Sequence, residues 1–367
     1  MIKINYPEKK LIIFNPSIED GGVEKNLFII ANYISEKIRS CVLITSANIK
    51  KKFNKNVKII IPSIKINKNS GRKIKYLFCI IVLIKEILSS RRNCSVLSFQ
   101  ANIYAIIVCY IFKIKIISRS NSSPSGWSKN LFKKFIFNTF LKKANYIVVN
   151  SKEFQKEFKE KFNIKTVIIY NPFDFKLIKQ QSREKINNNL YKKNQLNILS
   201  IGRLTEQKDH ITLIKAINLA SKKIDINAII IGKGYLKEKL NLFIKSFKLE
   251  KKISLIGYKK NPYKYIKKFD VFVLSSTFEG HPNVLVEALF LKKYIISSNC
   301  PTGPKEILKN GKFGKLFPTK DYIKLSRLLI RSKNNYKNKI NINNKTFEMY
   351  NLKKNCEEYL CLIKKII

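Results

Sequence analysis

Short apolar runs alternate with helix-like periodic segments along the whole chain. A run of four to eight apolar residues is typical of a strand buried on both faces of a parallel sheet. The alternation of such runs with helices predicts parallel α/β architecture. Seven predicted strands lie in the first half, at 11–15, 42–46, 57–62, 96–100, 114–120, 146–151 and 167–172, and five in the second, at 196–202, 227–234, 253–258, 270–276 and 294–299.

A polar, low-complexity segment, residues 180–195, separates the two series and indicates a linker. We therefore expect two domains, at 1–175 and 196–345, joined by residues 176–195. Each is predicted to be a doubly wound, Rossmann-like parallel sheet, and the two are expected to face a cleft, where ligand sites commonly lie. The amphipathic helix at 348–367 is predicted to pack back on the first domain.

Two longer apolar stretches, 76–84 and 103–112, are predicted to be buried helices, because both are well short of the roughly 20 residues that span a bilayer. The first ten residues, MIKINYPEKK, have no apolar core of the kind found in a secretory signal. The seven cysteines form no CxxC pair. Reduced thiols in a cytoplasmic protein are therefore expected.

The chain carries 73 Lys and Arg residues against 24 Asp and Glu residues, a formal net charge of +49. Codon bias of an A+T-rich genome accounts for part of the excess but not for its distribution, since residues 37–152 contain 24 Lys and Arg residues and one acid, Glu86. We expect the first domain to be strongly positive and to bind the anionic inner face of the cell membrane peripherally. The expected contacts are the basic segments 50–55 and 71–78, with Phe53, Leu77 and Phe78 as the residues that could insert; for Leu77 and Phe78, burial in the core is the favoured alternative.

A nucleic-acid-binding protein is an alternative explanation of this charge. It predicts basic residues interleaved with aromatic residues on one element. The sequence shows no such motif, so no nucleic-acid partner is expected.

The stretch EGHPNVLVEAL, residues 279–289, follows the apolar run DVFVLSS and places Glu279 and Glu287 eight residues apart. Pro282 suits the first turn of a helix, so the order is strand, Gly-containing loop, helix. Glu279 then lies in the loop, and Glu287 lies about one turn into the helix, on one face with Asn283. Both carboxylates are expected at the carboxyl end of a parallel strand, where open α/β sheets bind ligands.

The first turn of the second series, SIGRLTEQKDHITLIKAI, places Arg203 and Lys208 around a short loop before an amphipathic helix. Two cations beside the free N–H groups of a helix N-terminus form an anion site, and a diphosphate is the natural occupant. Each could also be an ordinary solvated cation. The glycine turn with Gly232, in IIGKGYL, is a weak signal by itself, because any tight turn uses glycine.

The two glutamates fit the same kind of ligand. Glu287 can accept two hydrogen bonds from a vicinal diol, as acidic residues do for ribose, and Glu279 precedes Gly280, where backbone can approach a ligand closely. Taken singly, each could be a surface carboxylate. Together, two cations, two carboxylates and several glycine turns at sheet ends favour a binding site.

In the first domain, NPSIEDGGVEKN at 15–26 forms the first strand-to-helix loop. Gly21 and Gly22 would let backbone N–H groups meet a phosphate. The alternative is a plain turn with Glu24 favourably placed in the first turn of the helix.

These segments resemble the family 4 retaining glycosyltransferases of the GT-B fold, of the type that assembles bacterial polysaccharides. The resemblance covers nearly the whole chain and lies in GGVEKN, VVNSKEF, IYNPFD, SIGRLTEQKDHITLIKA, IGKGYLKEKL, LIGYKKN and SSTFEGHPNVLVEAL. The last segment matches the paired-glutamate signature of the family and is specific, whereas GGVE alone is not.

The resemblance implies a role for each matched residue. Arg203 and Lys208 would clamp the diphosphate of a nucleotide-sugar donor. Glu287 would hold the ribose hydroxyls, and Glu279 would contact the transferred sugar. The remaining donor contacts that it implies are Gly22, Gly232, His281, Pro282, Asn283 and Val284.

The resemblance also implies a hexosyltransferase that needs no cofactor and no divalent metal, because Arg and Lys neutralise the leaving diphosphate. The expected reaction moves a hexose or N-acetylhexosamine from a nucleotide sugar, UDP-linked, to a lipid-linked glycan or polysaccharide acceptor with retention, in polysaccharide or lipopolysaccharide biosynthesis. The alternative on the same fold is a nucleotide-sugar hydrolase or epimerase, which would turn over the donor without an acceptor.

The chain departs from the family at one position. Many relatives place a histidine near the sugar, after a central strand of the first domain, whereas this chain has only His210 and His281, both in the second. The matching stretch is ISRSNSSPSGW, at 117–127. Its polar groups, Arg119 and Asn121, are the expected acceptor-side contacts.

Overall fold

The chain forms two compact units. The computed structural model describes residues 9–19, 21–47, 49, 52–64, 71–121, 131–337 and 342–367. Contacts divide the chain into a first unit, residues 1–173 with 349–367, and a second unit, residues 174–348. Each unit contains one parallel sheet.

Strands and helices alternate in both units, except that β3 follows β2 without a helix between them. In the first unit they are β1 (Lys10–Phe14), α1 (Gly22–Ser35), β2 (Cys41–Ile44), β3 (Val57–Ile60), α2 (Arg72–Ser89), β4 (Cys94–Ser98), α3 (Asn102–Ile111), β5 (Lys115–Arg119), α4 (Leu131–Leu141), β6 (Tyr146–Val149), α5 (Lys152–Phe162) and β7 (Val167–Ile168). In the second unit they are α6 (Phe175–Gln181), β8 (Leu196–Ile201), α7 (His210–Ala220), β9 (Ile226–Ile231), α8 (Lys237–Ser246), β10 (Ile253–Leu255), α9 (Tyr263–Lys268), β11 (Val271–Leu274), α10 (Asn283–Phe290), β12 (Tyr294–Ser298), α11 (Pro304–Ile307), β13 (Lys315–Phe317) and α12 (Tyr322–Asn335). The last helix, α13 (Leu352–Lys364), belongs to the first unit.

The first sheet has the strand order β3-β2-β1-β4-β5-β6-β7, and every pairing is parallel. Side chains alternate between its faces: Ile12 and Phe14 share a core with helices α2 to α5, whereas Leu11 and Ile13 share one with α1 and α13. The order reverses between β1 and β4. The loops after these two strands therefore lie at the topological switch point, where open α/β sheets bind ligands.

The second sheet has the order β10-β9-β8-β11-β12-β13, again parallel. One of its faces is covered by α7, α8 and α12, whose side chains Leu213, Leu240 and Leu325 share a core with Ile198 and Ile230 of the sheet. Here the order reverses between β8 and β11. The loops that carry the predicted cations and the paired glutamates follow these two strands.

The two doubly wound sheets and all twelve predicted strands are present, which confirms the α/β fold class. The prediction missed β13, which pairs with β12 at the edge of the second sheet. Its three residues, KLF, follow a stretch rich in Gly and Lys and are too few to show a periodic pattern.

The segment predicted to be a linker, residues 176–195, is packed into the second unit. Helix α6 occupies its start, and the Asn261 side chain donates a hydrogen bond to the Gln181 carbonyl at 2.9 Å. The Tyr191 ring lies edge-on against Phe269, with the ring centroids 6.2 Å apart. The sequence did not indicate these two contacts, because the segment is dominated by Asn, Lys and Gln.

The C-terminal helix α13 packs beside α1 in the first unit. Tyr359 and Ile363 are buried with Leu27 of α1 in one core. Beyond the end of the helix, the Ser95 hydroxyl of β4 donates to the Ile366 carbonyl at 2.7 Å. The end of the chain is thus an integral part of the first unit.

The two apolar stretches predicted to be buried helices form α2 and α3, and each is buried on one side only. In α2, Cys79, Leu83 and Ile87 enter the core, whereas Leu77, which was expected there, is 57% exposed and Phe78 is half-buried. Within the described ranges, no helix combines the length and the apolar content needed to cross a membrane.

Phe53, which was expected to insert into a membrane, packs within the first unit. The Phe53 ring packs against Phe28 of α1, with the centroids 5.2 Å apart, and the Lys52 ammonium lies 4.9 Å from the centroid of the same ring. Phe53 therefore contributes to the core on the α1 side of the sheet. Residues 50 and 51 lie outside the described residues.

Candidate functional site

The loop after β8 delivers two cations to the switch point of the second sheet. It contains Gly202, Arg203 and a 3₁₀ turn that ends at Lys208. Asp209 follows in the left-handed conformation, with φ 45°, which Asp tolerates better than most residues. Its carboxylate caps α7 by accepting hydrogen bonds from the Thr212 N–H at 3.3 Å and the Thr212 hydroxyl at 2.7 Å. This cap fixes the point at which the chain leaves Lys208 and enters the helix.

Lys208 and Glu279 form a buried ion pair. The Lys208 ammonium lies 2.5 Å from Glu279 Oε1, and the Ser276 hydroxyl donates to the same oxygen at 2.6 Å. Both charged side chains are largely enclosed, and a buried charge needs such a partner because an isolated one is strongly destabilising. Since both donors reach Oε1, the second carboxylate oxygen, Oε2, can accept from a further donor.

Gln207 joins the loops after β8 and β11. Its side-chain amide donates to the Phe278 carbonyl at 2.9 Å, and its own carbonyl accepts from the Thr277 N–H at 2.8 Å. The Ser275 hydroxyl also donates to the Lys208 carbonyl, at 2.9 Å. These bonds hold the backbone of Lys208 beside that of Glu279, so their ion pair does not depend on two flexible side chains alone.

Arg203 reaches the same loops from the other end of the turn. Its Nη2 donates to Gln207 Oε1 at 3.2 Å, and the side chain is half-buried. A guanidinium has five N–H donors in a planar fork. Arg203 can therefore keep this bond and present further donors to an anion.

Close approach restricts two glycines, by backbone at Gly232 and by the Lys208 side chain at Gly202. A Cβ on Gly232 would lie 1.8 Å from the Gly202 carbonyl oxygen, so any other residue would displace the loop. A Cβ on Gly202 would lie 3.2 Å from both Cγ and Cδ of Lys208. Gly202 thus leaves room for the stem of Lys208, and Gly232 shapes the loop that carries it. The predicted contact of Gly232 with a ligand stays a prediction.

The loop that carries Glu279 is fixed by the residues after β12. The Thr302 hydroxyl donates to the Gly280 carbonyl at 2.9 Å. Gly303 follows with φ 94°, and a Cβ there would lie 2.8 Å from the Gly280 carbonyl oxygen and 2.9 Å from Pro282 Cδ. Only glycine combines this backbone conformation with this space.

Glu287 lies in the second turn of α10 and is 2% exposed. The Tyr263 hydroxyl, at the start of α9, donates to Glu287 Oε1 at 3.4 Å. Glu287 is thus held from α9, whereas Glu279 is held from the loop after β8. The residues predicted to contact the donor between Glu279 and Glu287 in the sequence form the turn into α10. His281, Pro282 and Asn283 are buried, and Val284 is half-buried.

Burial shifts the pKa values of two groups beside the ion pair. Burial, followed by the positive charge of Lys208, lowers the pKa of His210 to about 4, so the imidazole is neutral at pH 7. Burial, followed by the charge of Glu279, raises the pKa of the Cys300 thiol to about 12.

All seven cysteines are free. In the described part of the chain no three His, Cys, Asp or Glu side chains are grouped to hold a metal ion, and metal independence stays a prediction.

In the first unit, Glu24 organises the glycine loop after β1. Its carboxylate accepts from the N–H of Glu19 at 3.1 Å and from that of Gly21 at 2.9 Å, and burial raises its pKa. The Gly21 N–H, expected to meet a phosphate, is therefore bonded to Glu24. Gly22 begins α1, and its contact with a phosphate stays a prediction.

Arg119, expected on the acceptor side, lies inside the first unit and is 1% exposed. Its Nε donates to the Tyr359 hydroxyl at 2.9 Å, and its Nη2 donates to Asn171 Oδ1 at 2.6 Å. The guanidinium also lies 5.4 Å from the Phe99 ring centroid. Arg119 thus joins α13 to the sheet, and its enclosed position does not support contact with an acceptor.

Asn121, the other residue expected on the acceptor side, is half-buried, and its amide donates to the Phe99 carbonyl at 2.5 Å. The rest of this stretch, residues 122–127, lies outside the described residues. The acceptor contact of Asn121 stays a prediction.

Three side chains that fix the site were not predicted from the sequence: Ser276, Gln207 and Tyr263. Ser276 closes the apolar run of β11 and is fully buried. A serine directly after a buried strand was the one signal that could have identified it. Gln207 and Tyr263 occupy polar loops and helix starts, where nothing in the pattern distinguishes them from solvated residues.

The chain is similar in sequence to known glycosyltransferases. The family model of the glycosyl transferases group 1 matches residues 181–349, nearly the whole second unit. The N-acetylgalactosamine-N,N'-diacetylbacillosaminyl-diphospho-undecaprenol 4-alpha-N-acetylgalactosaminyltransferase of Campylobacter jejuni is 32% identical over 262 residues, which are 68% of this chain and 70% of that protein. The GalNAc-alpha-(1->4)-GalNAc-alpha-(1->3)-diNAcBac-PP-undecaprenol alpha-1,4-N-acetyl-D-galactosaminyltransferase of the same organism is 30% identical over 220 residues, 58% of each chain.

Solved structures agree on the fold. The crystal structure of Anabaena Alr3699/HepE in complex with UDP and glucose superposes with a TM-score of 0.78 at 17% identity and covers 98% of this chain and 100% of that one. This likeness is one of fold, and the fold of both is GT-B.

Proposed function

The chain belongs to the glycosyl transferases group 1, and within this family we propose that it is a retaining hexosyltransferase that uses a UDP-linked sugar. The proposed reaction moves a hexose or N-acetylhexosamine to a lipid-linked glycan. The observation that carries the proposal is the Lys208–Glu279 ion pair at the switch point of the second sheet, with Arg203 linked through Gln207 to the Phe278 carbonyl beside it.

The charges of this cluster suit a nucleoside diphosphate. Arg203 and Lys208 supply two positive charges from one loop, beside the N-terminus of α7. The Lys208 ammonium has three donors and uses one on Glu279. The Oε2 atom of Glu279 would accept a hydroxyl of the transferred sugar. Glu287, held by Tyr263, would accept the ribose hydroxyls.

In the proposed step, the bond between the anomeric carbon and the diphosphate oxygen breaks, and the oxygen of an acceptor hydroxyl bonds to the same face of the sugar. The acceptor proton passes to an oxygen of the departing diphosphate, which leaves with the bonding electron pair. Arg203 and Lys208 would stabilise the negative charge that develops on the leaving group, in a site where water is largely excluded. We propose that these two cations make a divalent metal unnecessary.

The acceptor class is proposed from the relatives. The names of both Campylobacter proteins specify glycans linked to undecaprenol through a diphosphate. A lipid-linked acceptor is held in a membrane, so the enzyme would act peripherally on the cytoplasmic face. The basic character of residues 37–152 supports an anionic membrane as a partner.

A donor panel and a transfer assay test the proposal. Thermal shift with a series of nucleotide sugars should select one UDP-sugar, and Lys208→Ala should abolish that shift. Transfer to an undecaprenyl-diphosphate-linked glycan should proceed in EDTA, and NMR of the product should show the anomeric configuration of the donor. Inversion of that configuration, or recovery only with added Mn²⁺, would contradict it. Turnover of the donor at the same rate without acceptor would indicate the hydrolase instead.

A further inference from the structure

Large apolar side chains are exposed unevenly over the molecule. Fifteen are exposed among the described residues, and eight of these lie on three helices of the first unit, α2, α3 and α4. The other helices of the first unit, α1, α5 and α13, expose none among the described residues. Other side chains of α2 to α4 already fill the core on this face of the sheet. The eight exposed side chains therefore have no role in packing that core.

The exposed residues of α2 form one stripe. Ile74, Leu77, Ile81 and Leu88 are separated by three, four and seven residues. At 100° per residue they fall within an arc of about 60°. The buried residues of α2 lie on the opposite side of the helix. α2 is therefore apolar on two opposite faces, one against the sheet and one against solvent.

The neighbouring helices extend this stripe. α2 contacts α3, and α3 contacts α4. Tyr110 of α3 and Phe135 of α4 are more than half exposed. The Lys143 ammonium, just beyond α4, lies 4.8 Å from the Tyr110 ring centroid. We call Ile74, Leu77, Ile81, Leu88, Tyr110 and Phe135 the α2–α4 surface.

The exposed charges that α2, α3 and α4 and the residues just after them contribute around this surface are positive. Lys73 and Lys85 of α2, Lys113 after α3 and Lys134 of α4 are all exposed. The one acid among residues 37–152 is Glu86, and its carboxylate accepts from the Lys10 ammonium at 2.7 Å, which neutralises it. The surface thus has an apolar centre and a cationic rim with no free negative charge among residues 37–152.

We propose that the α2–α4 surface lies on the anionic lipid bilayer that holds the acceptor, a step that rests on the proposed function. Aliphatic side chains in the centre would enter the acyl region, and tyrosine and lysine around them suit the headgroup layer. The cationic rim matches anionic lipid. A nucleic acid would meet the same cations, but the Leu and Ile stripe offers nothing to a phosphate backbone or to a base edge.

This surface includes Ile74 and Leu77 of the predicted segment 71–78 and excludes the predicted segment 50–55. Lys52 and Phe53 lie on the α1 side of the sheet, whereas α2 to α4 cover the other side. Among the described residues of the first unit, six exposed apolar side chains and four exposed lysines lie together on the α2–α4 side. The docking side of the first unit is therefore set by its helices.

A matched pair of variants tests this proposal. Leu77→Gln with Ile81→Gln removes two exposed apolar side chains from α2, and Leu242→Gln with Ile323→Gln removes two from the second unit, where Leu242 is 68% exposed. Co-sedimentation with vesicles of phosphatidylcholine and phosphatidylglycerol should show binding of the full chain that weakens as salt rises. The α2 pair should lower the vesicle partition coefficient about tenfold or more, and the second-unit pair should leave it unchanged.

The outcomes separate this proposal from the proposed function. Thermal shift by the UDP-sugar should be equal in both pairs, so loss of vesicle binding with intact donor binding supports the α2–α4 surface. Equal vesicle binding by both pairs, or equal binding to pure phosphatidylcholine, overturns it whether or not the enzyme transfers sugar. Dimers in light scattering that the α2 pair dissociates would assign the surface to a second copy of the chain and overturn it as well.

Discussion

The two units share one sheet design and differ in how they satisfy charge at their sheet ends. In the first unit, Glu24 is bonded to backbone N–H groups of its own loop, and Arg119 is bonded to the neutral side chains of Tyr359 and Asn171. In the second, Lys208 and Glu279 bond to each other across two loops. A charge enclosed by neutral groups is committed to structure. A pair that spans two loops can share its remaining donors and acceptors with a ligand.

The two units also differ in the size of the partner that their surfaces suit. The first unit presents the α2–α4 surface with its cationic rim, which suits a partner much larger than a nucleotide. The second unit encloses one small cluster of charges, Lys208 and Glu279, which suits a small anion with hydroxyl groups. We propose that the two units, although of one architecture, bind different kinds of partner, and the following changes test that proposal.

The largest effect is expected from Lys208→Ala. Loss of a positioned cation at a developing oxyanion reduces kcat by about 10²–10³-fold, a few kcal/mol of transition-state stabilisation. Lys239→Ala, an exposed lysine of α8, is the charge-matched control and should stay within about twofold. The double variant Lys208→Ala with Glu279→Gln should recover the stability lost by the unpaired carboxylate without recovering kcat. A loss of kcat below about fivefold in Lys208→Ala would contradict the proposal that the ion pair of the second unit acts on a ligand.

A pH-dependent loss of stability is expected from His210. Its folded pKa, about 4, lies below the ordinary value of 6.5, so the unfolded chain binds the proton first as the pH falls. This residue's contribution is therefore present above about pH 6.5 and is lost progressively down to about pH 4, by up to about 3 kcal/mol. Urea unfolding of the protein and of His210→Gln, at pH 7 and at pH 4.5, measures it. A difference in unfolding free energy that does not change with pH would contradict the prediction.

Tyr359→Phe tests whether Arg119 is structural in the first unit. It leaves the Arg119 Nε buried without its acceptor, and loss of a hydrogen bond to a charged group costs about 2 kcal/mol. Tyr33→Phe removes an exposed hydrogen bond to Glu357 between α1 and α13 and should cost less than about 0.5 kcal/mol. Denaturant unfolding measures both, and the thermal shift by the UDP-sugar should be the same as in the unaltered chain. A weaker donor shift in Tyr359→Phe would show that this cluster serves more than the fold.

The sheets could be predicted from the sequence because a parallel strand buried on both faces leaves an apolar run in the sequence. The exposure of Leu77 could not be predicted, because the apolar periodicity of a helix does not show how many of its faces pack against a sheet. α2 carries apolar residues on two sides and has a core for only one of them. The same pattern therefore describes a buried helix and a half-exposed one.

The site was predictable in part for a related reason. Arg203, Lys208 and Glu279 stand out because charged residues directly after apolar runs must lie at strand ends. Arg119 obeys the same rule, yet its charge is buried under Tyr359, a residue 240 positions further along the chain. Only tertiary contacts separate a strand-end cation that faces a ligand from one that anchors a distant helix.

The smallest effect is expected from Gly202→Ala, and it tests the fit of Lys208 most finely. The added Cβ would lie 3.2 Å from Cγ and Cδ of Lys208 and 3.5 Å from Cε, close enough to move the lysine stem by a few tenths of an ångström. The backbone of Gly202 has no positive φ, so alanine is tolerated there without conformational strain. Since a misplacement of about 1 Å at a reacting centre can reduce the rate about 10²-fold, we expect kcat to fall about tenfold while the unfolding free energy changes by less than about 1 kcal/mol. Gly71→Ala, before α2, adds a Cβ that meets nothing within 4 Å and should leave kcat unchanged. An unchanged kcat in Gly202→Ala, with the fold intact, would show that the position of the Lys208 stem is not critical and that the second unit's ion pair, like the bonds of Arg119, serves the fold.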